Sequence, residues 1–120
     1  MLVCTQTGER YHANADTLAT IPPTTADGAL LKPDFVFFGE GIPTEAARRA
    51  EHAARTADVM LVIGTTGEVY PAAALPTMAA QNRATIVEIN PERSVYTDTI
   101  TDIFIQAPAT TAMHALGKKI

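Results

Sequence analysis

Four short runs of β-forming residues, each stopped by a turn residue and separated by alanine-rich stretches, constrain this chain more than any other feature. The runs are Phe35-Val36-Phe37-Phe38 before Gly39, Val59-Met60-Leu61-Val62-Ile63 before Gly64, Thr85-Ile86-Val87-Glu88-Ile89 before Asn90-Pro91, and Ile103-Phe104-Ile105 before Gln106. Continuous apolar runs of this length, rather than polar–apolar alternation, mark strands covered on both faces. Thr44 through Thr56, Pro71 through Asn82 and Ala109 through Lys118 read as helices. Pro43 and Glu45 suit a first turn, Gly117 with two lysines suits a last one, and Pro76 shortens or kinks the middle helix. Alternating strands and helices of this kind build parallel βαβ units with right-handed crossovers. The expected fold class is α/β, a parallel sheet of about four strands with flanking helices. Residues 1–32 differ: they are rich in Thr, Ala and Asn, broken by Pro22-Pro23 and Asp27-Gly28, and show no sustained period. They read as loop.

Ligands of open parallel sheets sit beyond the carboxyl ends of the strands. Here those ends carry Gly39-Glu40-Gly41, Gly64-Thr65-Thr66-Gly67, Asn90-Pro91-Glu92 and Gln106-Ala107. A tight Gly-Thr-Thr-Gly turn exposes N–H groups and two hydroxyls suited to a phosphate or a ribose. It also reads as an ordinary turn capped by Thr, and it matches neither a Walker loop nor G-x-G-x-x-G. Asn90 and Glu92 stand where nucleotide-binding sheets place a ribose ligand, although Asn-Pro is equally turn chemistry. Glu40 is a carboxylate without a visible partner for acid–base work. His12, His52 and His114 fall at no strand end and read as exposed or packing residues. Cys4 has no second Cys with which to build a zinc site. By themselves the residues describe a nucleotide-binding-like sheet without a visible catalytic group.

Composition narrows the class. A chain of 120 residues, 47% hydrophobic and 18% charged, forms one small folded domain rather than a disordered segment. A net charge of −4 argues against a nucleic-acid partner. A single Cys excludes an internal disulfide and fits a reducing, cytoplasmic setting. No apolar stretch approaches the roughly 18–20 residues of a membrane span, and no signal-peptide pattern opens the sequence.

Several motifs occur together, in an order found in one family. Lys32-Pro33-Asp34-Phe35-Val36-Phe37-Phe38-Gly39-Glu40 resembles the "RPDVVFFGE" segment of sirtuins, the NAD-dependent protein deacylases. Val62 through Ala73, with Gly64-Thr65-Thr66 and Val69-Tyr70-Pro71-Ala72-Ala73, resembles their "GTS…VYPAA" segment, and Glu88-Ile89-Asn90 their "IEIN" segment. The resemblance implies the C-terminal half of a sirtuin. Residues 33–120 would be half of the Rossmann-like NAD-binding domain, and residues 1–32 a degenerate remnant of the small zinc module. The family's Gly-Ala-Gly-Ile-Ser loop, its Gln-Asn-Ile-Asp segment and its catalytic His are not among these 120 residues.

Carried over position by position, the resemblance implies that Gly64, Thr65 and Thr66 meet the phosphates and nicotinamide ribose of NAD. Asn90 and Glu92 would lie at the adenosine ribose and Ala107 near adenine, with Gln106 where Gly is common. Val36, Phe38, Gly39 and Glu40 would form one wall of an acyl-lysine channel, Glu68 and Val69 the other, the peptide adding as a strand. Cys4-Thr5-Gln6-Thr7-Gly8 keeps the first Cys of a Cys-x-x-Cys pair but has Thr7 for the second, and Thr24 and Asp27 stand for the other pair. One thiolate and one carboxylate are too few for structural zinc, so none is expected. The resulting expectation is a deacylase segment with a partial NAD site, inactive alone. It is expected to associate with itself through the Phe35–Phe38 edge, or with a complementing N-terminal half. The alternative is a non-catalytic nucleotide-binding or interaction module. The central domain of thiamine-diphosphate enzymes has a related sheet, but the Phe-Gly-Glu and Val-Tyr-Pro segments argue against it.

Overall fold

The structure, a computed structural model, describes residues 1–119. Two compact units divide the chain, one spanning Met1–Ile42 and the other beginning at Pro43. In the first, β1 (Leu2–Cys4) pairs antiparallel with β2 (Arg10–Tyr11) on one side and β3 (Leu31–Pro33) on the other. Leu2, Cys4, Ala29 and Leu31 form its small core, with Tyr11 against them. Two tight turns are closed by Gly8 N–H on the Cys4 carbonyl (2.9 Å) and Gly28 N–H on the Thr25 carbonyl (3.0 Å). Strands of two or three residues are too short to show a period, which is why the segment reads as loop in the sequence.

The Phe35–Phe38 run is not a strand, which corrects the sequence reading. Its backbone groups are satisfied locally instead: Glu40 N–H bonds the Phe37 carbonyl at 3.0 Å across a turn with Gly39 at φ 87°, and Asp34 N–H bonds the Met1 carbonyl. Lys32 Nζ lies 2.6 and 2.5 Å from the two carboxylate oxygens of Glu40, and Phe37 N–H donates to the same carboxylate at 3.1 Å. This pair folds the segment back on itself. It leaves Phe35 65% and Phe38 93% exposed, where burial on both faces was expected.

The second unit contains α1 (Thr44–Thr56), β4 (Val59–Ile63), α2 (Ala74–Gln81), β5 (Thr85–Ile89), β6 (Ile103–Ile105) and α3 (Ala109–Gly117). The three strands form a parallel sheet in the order β4-β5-β6, so the expected α/β class holds with one strand fewer. Ala54 of α1, Ala79 of α2, Val62, Ala84, Ile86 and Tyr96 make the core on one face, with Met60, Leu75 and Met78 packed against it. Alanines at the helix positions let helix and sheet approach closely. The other face is open: Val59, Leu61, Ile63 and Ile103 are all at least 38% exposed. On that face only the central strand is covered, with Ile89 buried and Val87 half-buried, so the apolar runs bury one face fully and the other in part. Among the described residues no helix is long and apolar enough to cross a membrane.

Pro76 sits in the first turn of α2, where a missing N–H costs no helical bond. The helix accordingly starts at Ala74, after a turn spanning residues 69–74, and is not kinked in its middle. Its end is a Schellman motif: Ala84 N–H bonds the Ala79 carbonyl at 3.1 Å and Arg83 N–H the Ala80 carbonyl at 3.0 Å. The left-handed position of that motif, usually Gly, is Arg83 at φ 68°. Since Arg83 is exposed, Arg83→Gly is expected to raise stability by about 0.5–1 kcal/mol, read as a higher Tm, with Arg83→Ala near neutral.

The Lys32–Glu40 pair carries a pH dependence. Lys32, followed by the Phe37 N–H, holds the Glu40 carboxyl below its ordinary value of 4.5. A carboxyl whose folded value is depressed stabilises the fold above the unfolded value, and that contribution is lost as pH falls through the folded one. The turn is therefore expected to be intact above pH 4.5 and to loosen below it, seen as an NMR titration of the Phe37 amide. In Lys32→Met the midpoint should move up toward 4.5; an unchanged midpoint would show that the pair does not govern the turn.

Candidate functional site

The carboxyl ends of β4, β5 and β6 leave the sheet side by side. Ile63, Ile89 and Ile105 are register partners, and the ladders continue one step further. Gly64 N–H bonds the Ile89 carbonyl at 3.0 Å, and Asn90 N–H bonds the Ile105 carbonyl at 3.2 Å. Gly64, Asn90 and Gln106 thus begin their turns at one level, and the three turns are then tied together by side chains.

Gly64 takes φ 62°, a left-handed conformation that turns the chain sharply, and a Cβ there would meet nothing within 4 Å. The backbone is open to close approach. Thr65 Oγ1 accepts the Gly67 N–H at 3.1 Å, and the Thr65 carbonyl accepts from Asn90 Nδ2 at 2.9 Å. With its amide nitrogen committed to Thr65, Asn90 keeps Oδ1 as an acceptor for a hydroxyl. Gln106 Nε2 donates to the Pro91 carbonyl at 3.2 Å, linking the second and third turns. Thr65, Thr66 and Glu92 are exposed along this edge, and Ala107 is half-buried with its N–H on the Ile105 carbonyl. Open backbone, free hydroxyls and one acceptor at a turn suit a diol and a phosphate.

Gly67 differs from Gly64. At φ 80° it lies under Val95 and Tyr96, where an added Cβ would come within 2.5–2.7 Å of their side chains. Glu68 and Val69 follow it and are exposed, as are Val36, Phe38, Gly39 and Glu40 in the first unit. Glu40, unpartnered in the sequence reading, is engaged by Lys32. His12 is exposed in the first unit, and in the second His52 and His114 are exposed on α1 and α3 rather than at a strand end. Sequence reasoning missed the segment following Glu92, where Ser94, Tyr96, Thr97 and Thr101 hold the neighbouring turns. The signal available was a Glu inside an apolar strand followed by a Ser/Thr-rich stretch.

In the first unit, Cys4 is buried and its thiol is drawn below the ordinary value, chiefly by the Thr7 hydroxyl and then by the Thr7 and Gln6 N–H groups. The Thr25 hydroxyl holds the Asp27 carboxyl below the ordinary carboxylate value. One thiol and one carboxylate, with Thr7 and Thr24 at the remaining positions, do not make a zinc donor set. Among the described residues no three or more of His, Cys, Asp and Glu come together as metal ligands.

Comparison with known proteins fits this geometry to a family. The model of the Sir2 family matches residues 2–71. An NAD-dependent protein deacylase of Ralstonia nicotianae is 47% identical over 95 residues, 79% of this chain and 38% of that protein. NAD-dependent protein deacylase 2 of Pyrobaculum aerophilum is 41% identical over 117 residues, 98% of this chain and 47% of that protein. A solved Sir2 in complex with a p53 peptide and NAD+ superimposes with a TM-score of 0.86 at 25% identity, over 98% of this chain and 50% of that one. The chain thus spans half or less of the length of these relatives. The family model covers more than half of the chain, and the chain belongs to the Sir2 family.

Proposed function

We propose that these 120 residues form the part of an NAD-dependent protein lysine deacylase that carries part of the NAD and acyl-lysine peptide binding edge. The observation that carries the reading is the cross-linked carboxyl edge, in which Asn90 Nδ2 bonds the Thr65 carbonyl at 2.9 Å and Oδ1 stays free. In this reading Gly64, Thr65 and Thr66 take the phosphates and the nicotinamide ribose. Asn90 and Glu92 take the adenosine ribose, and Ala107 the adenine. Val36, Phe38, Gly39 and Glu40, and in the second unit Glu68 and Val69, are assigned to the peptide. The relatives' names and the peptide and NAD+ in the solved Sir2 support these assignments.

NAD, when bound, supplies the ribose carbon that the acyl oxygen attacks. This chain's residues would hold and orient part of it; in the second unit His52 and His114 lie on α1 and α3 rather than at a strand end, so among its described residues no histidine is placed as general base, help typically worth 10²–10⁴-fold. Turnover is therefore assigned to a complex with a complementing polypeptide. The same absence favours a second reading, a non-catalytic nucleotide-binding module. The exposed Phe35, Phe38, Val59 and Leu61 offer apolar surface for such a partner or for a second copy. The single buried thiol is in keeping with a reducing, cytoplasmic setting.

Incubation with NAD and an acetyl-lysine peptide is expected to release no nicotinamide above background; turnover would overturn the inactive reading. ADP-ribose is expected to bind with Kd weaker than about 1 mM. It should move the Gly64, Thr65, Thr66 and Asn90 amides in NMR spectra; shifts confined to other residues would remove the cofactor assignment. The purified chain is expected to hold no stoichiometric zinc, with a Tm unchanged by chelator. A Tm that falls with chelator would refute the metal-free reading.

A further inference from the structure

Glu88, the fourth of the five residues of β5, is fully buried, its register partners being Val62 in β4 and Phe104 in β6. Neither neighbour offers a side-chain donor. The carboxylate is instead held by three hydroxyls of the segment between β5 and β6: Ser94 Oγ at 2.6 Å and Thr97 Oγ1 at 3.1 Å on Oε1, and Thr101 Oγ1 at 2.8 Å on Oε2. A buried carboxylate is costly without hydrogen-bond partners, so strand and segment are fixed to one another. An apolar residue would pack between Val62 and Phe104 equally well but would hold nothing.

The segment that Glu88 fixes is the one that lies on the Gly64–Gly67 turn. Ser94 Oγ, besides donating to Glu88, accepts the Tyr96 N–H at 3.1 Å. Val95 N–H donates to the Thr66 carbonyl at 3.2 Å. The Val95 and Tyr96 side chains close over Gly67 too tightly for a Cβ, and Tyr96 Oη donates to the Ala73 carbonyl at 2.8 Å beyond the turn. A continuous set of contacts therefore runs from Glu88 through Ser94 and Tyr96 to Gly67 and Thr66.

We propose that Glu88 is a positioning residue: through its hydroxyl clamp on Ser94, Thr97 and Thr101 it sets the turn that receives the phosphate and ribose groups of the ligand. The inference rests on the cofactor reading above for what the turn receives, but not for the clamp itself. Glu88→Gln replaces one carboxylate oxygen by an amide that donates, so at least one hydroxyl loses its acceptor. Ser94→Ala removes the link to Tyr96. Ile86→Val, equally buried in the same strand, is the control.

The 120-residue chain carrying each change would be followed by the NMR positions of the Thr66, Gly67 and Val95 amides, and by saturation transfer to ADP-ribose. Glu88→Gln and Ser94→Ala are expected to displace those amides, and Ile86→Val to leave them in place. ADP-ribose affinity should fall about tenfold in the first two, as expected for loss of about one hydrogen bond's placement. A folded Glu88→Gln chain with the turn amides unmoved would overturn the proposal. So would displacement of the same size in Ile86→Val. If Glu88→Gln does not fold, Ser94→Ala decides by the same amides. If the unsubstituted chain takes no ADP-ribose, the cofactor reading falls while the amide positions still decide the role of Glu88.

Discussion

Strand β5 carries two parallel ladders in matched register, and the geometry of the carboxyl edge depends on both. Ile89 faces Ile63 on one side and Ile105 on the other, so the three strands end together. A slip of one residue in either ladder would turn every side chain of the slipped strand to the opposite face. It would also separate Asn90 from the Thr65 carbonyl. The register is held because Ile86 and Glu88 cannot leave their face: the first is wholly buried in the core, and the second is tied by three hydroxyls. An apolar and a polar constraint on one strand thus select the same alignment.

How much of this the sequence revealed depended on where each element finds its partners. Strands β4, β5 and β6 and helices α1 and α3 were legible, because runs of three to five β-forming residues and Ala-rich stretches specify local structure that the sheet then accepts. Phe35–Phe38 has the same composition as a strand, yet it turns, because Lys32 and Gly39 close it locally through Glu40. That outcome depends on a side chain eight residues from its partner. The Gly64–Gly67 and Asn90 turns were legible because their chemistry is written in residue type. The Glu88 clamp was not, because its donors lie 6, 9 and 13 residues further on, in a stretch without periodicity.

The burial pattern of β4 shows what the apolar runs encode. Val62 is buried while Val59, Leu61 and Ile63 are exposed, although all are strand-forming and apolar. Alternation appears in the structure but not in the sequence. Parallel sheets are ordinarily covered on both faces, and α2 with α1 covers one face of this one. The residue types on the open face are those of an interior. The relatives matched are about twice as long as this chain.

The carboxyl edge commits most of its polar groups to itself. Thr65 Oγ1 accepts from Gly67, Asn90 Nδ2 donates to Thr65, and Gln106 Nε2 donates to Pro91. Each bond lowers the ordering cost that a ligand would otherwise meet, because the turns are already in place. It also withdraws a group from the ligand. What remains is Asn90 Oδ1, the Thr66 hydroxyl and the open backbone at Gly64. In the proposed cofactor reading, so few groups would orient a nucleotide but hold it weakly, since a hydrogen bond nets only about 0.5–1.5 kcal/mol once water is displaced. Placement without strong retention would suit a surface that supplies one side of a cofactor site, and in the proposed role the Glu88 clamp would preserve that placement.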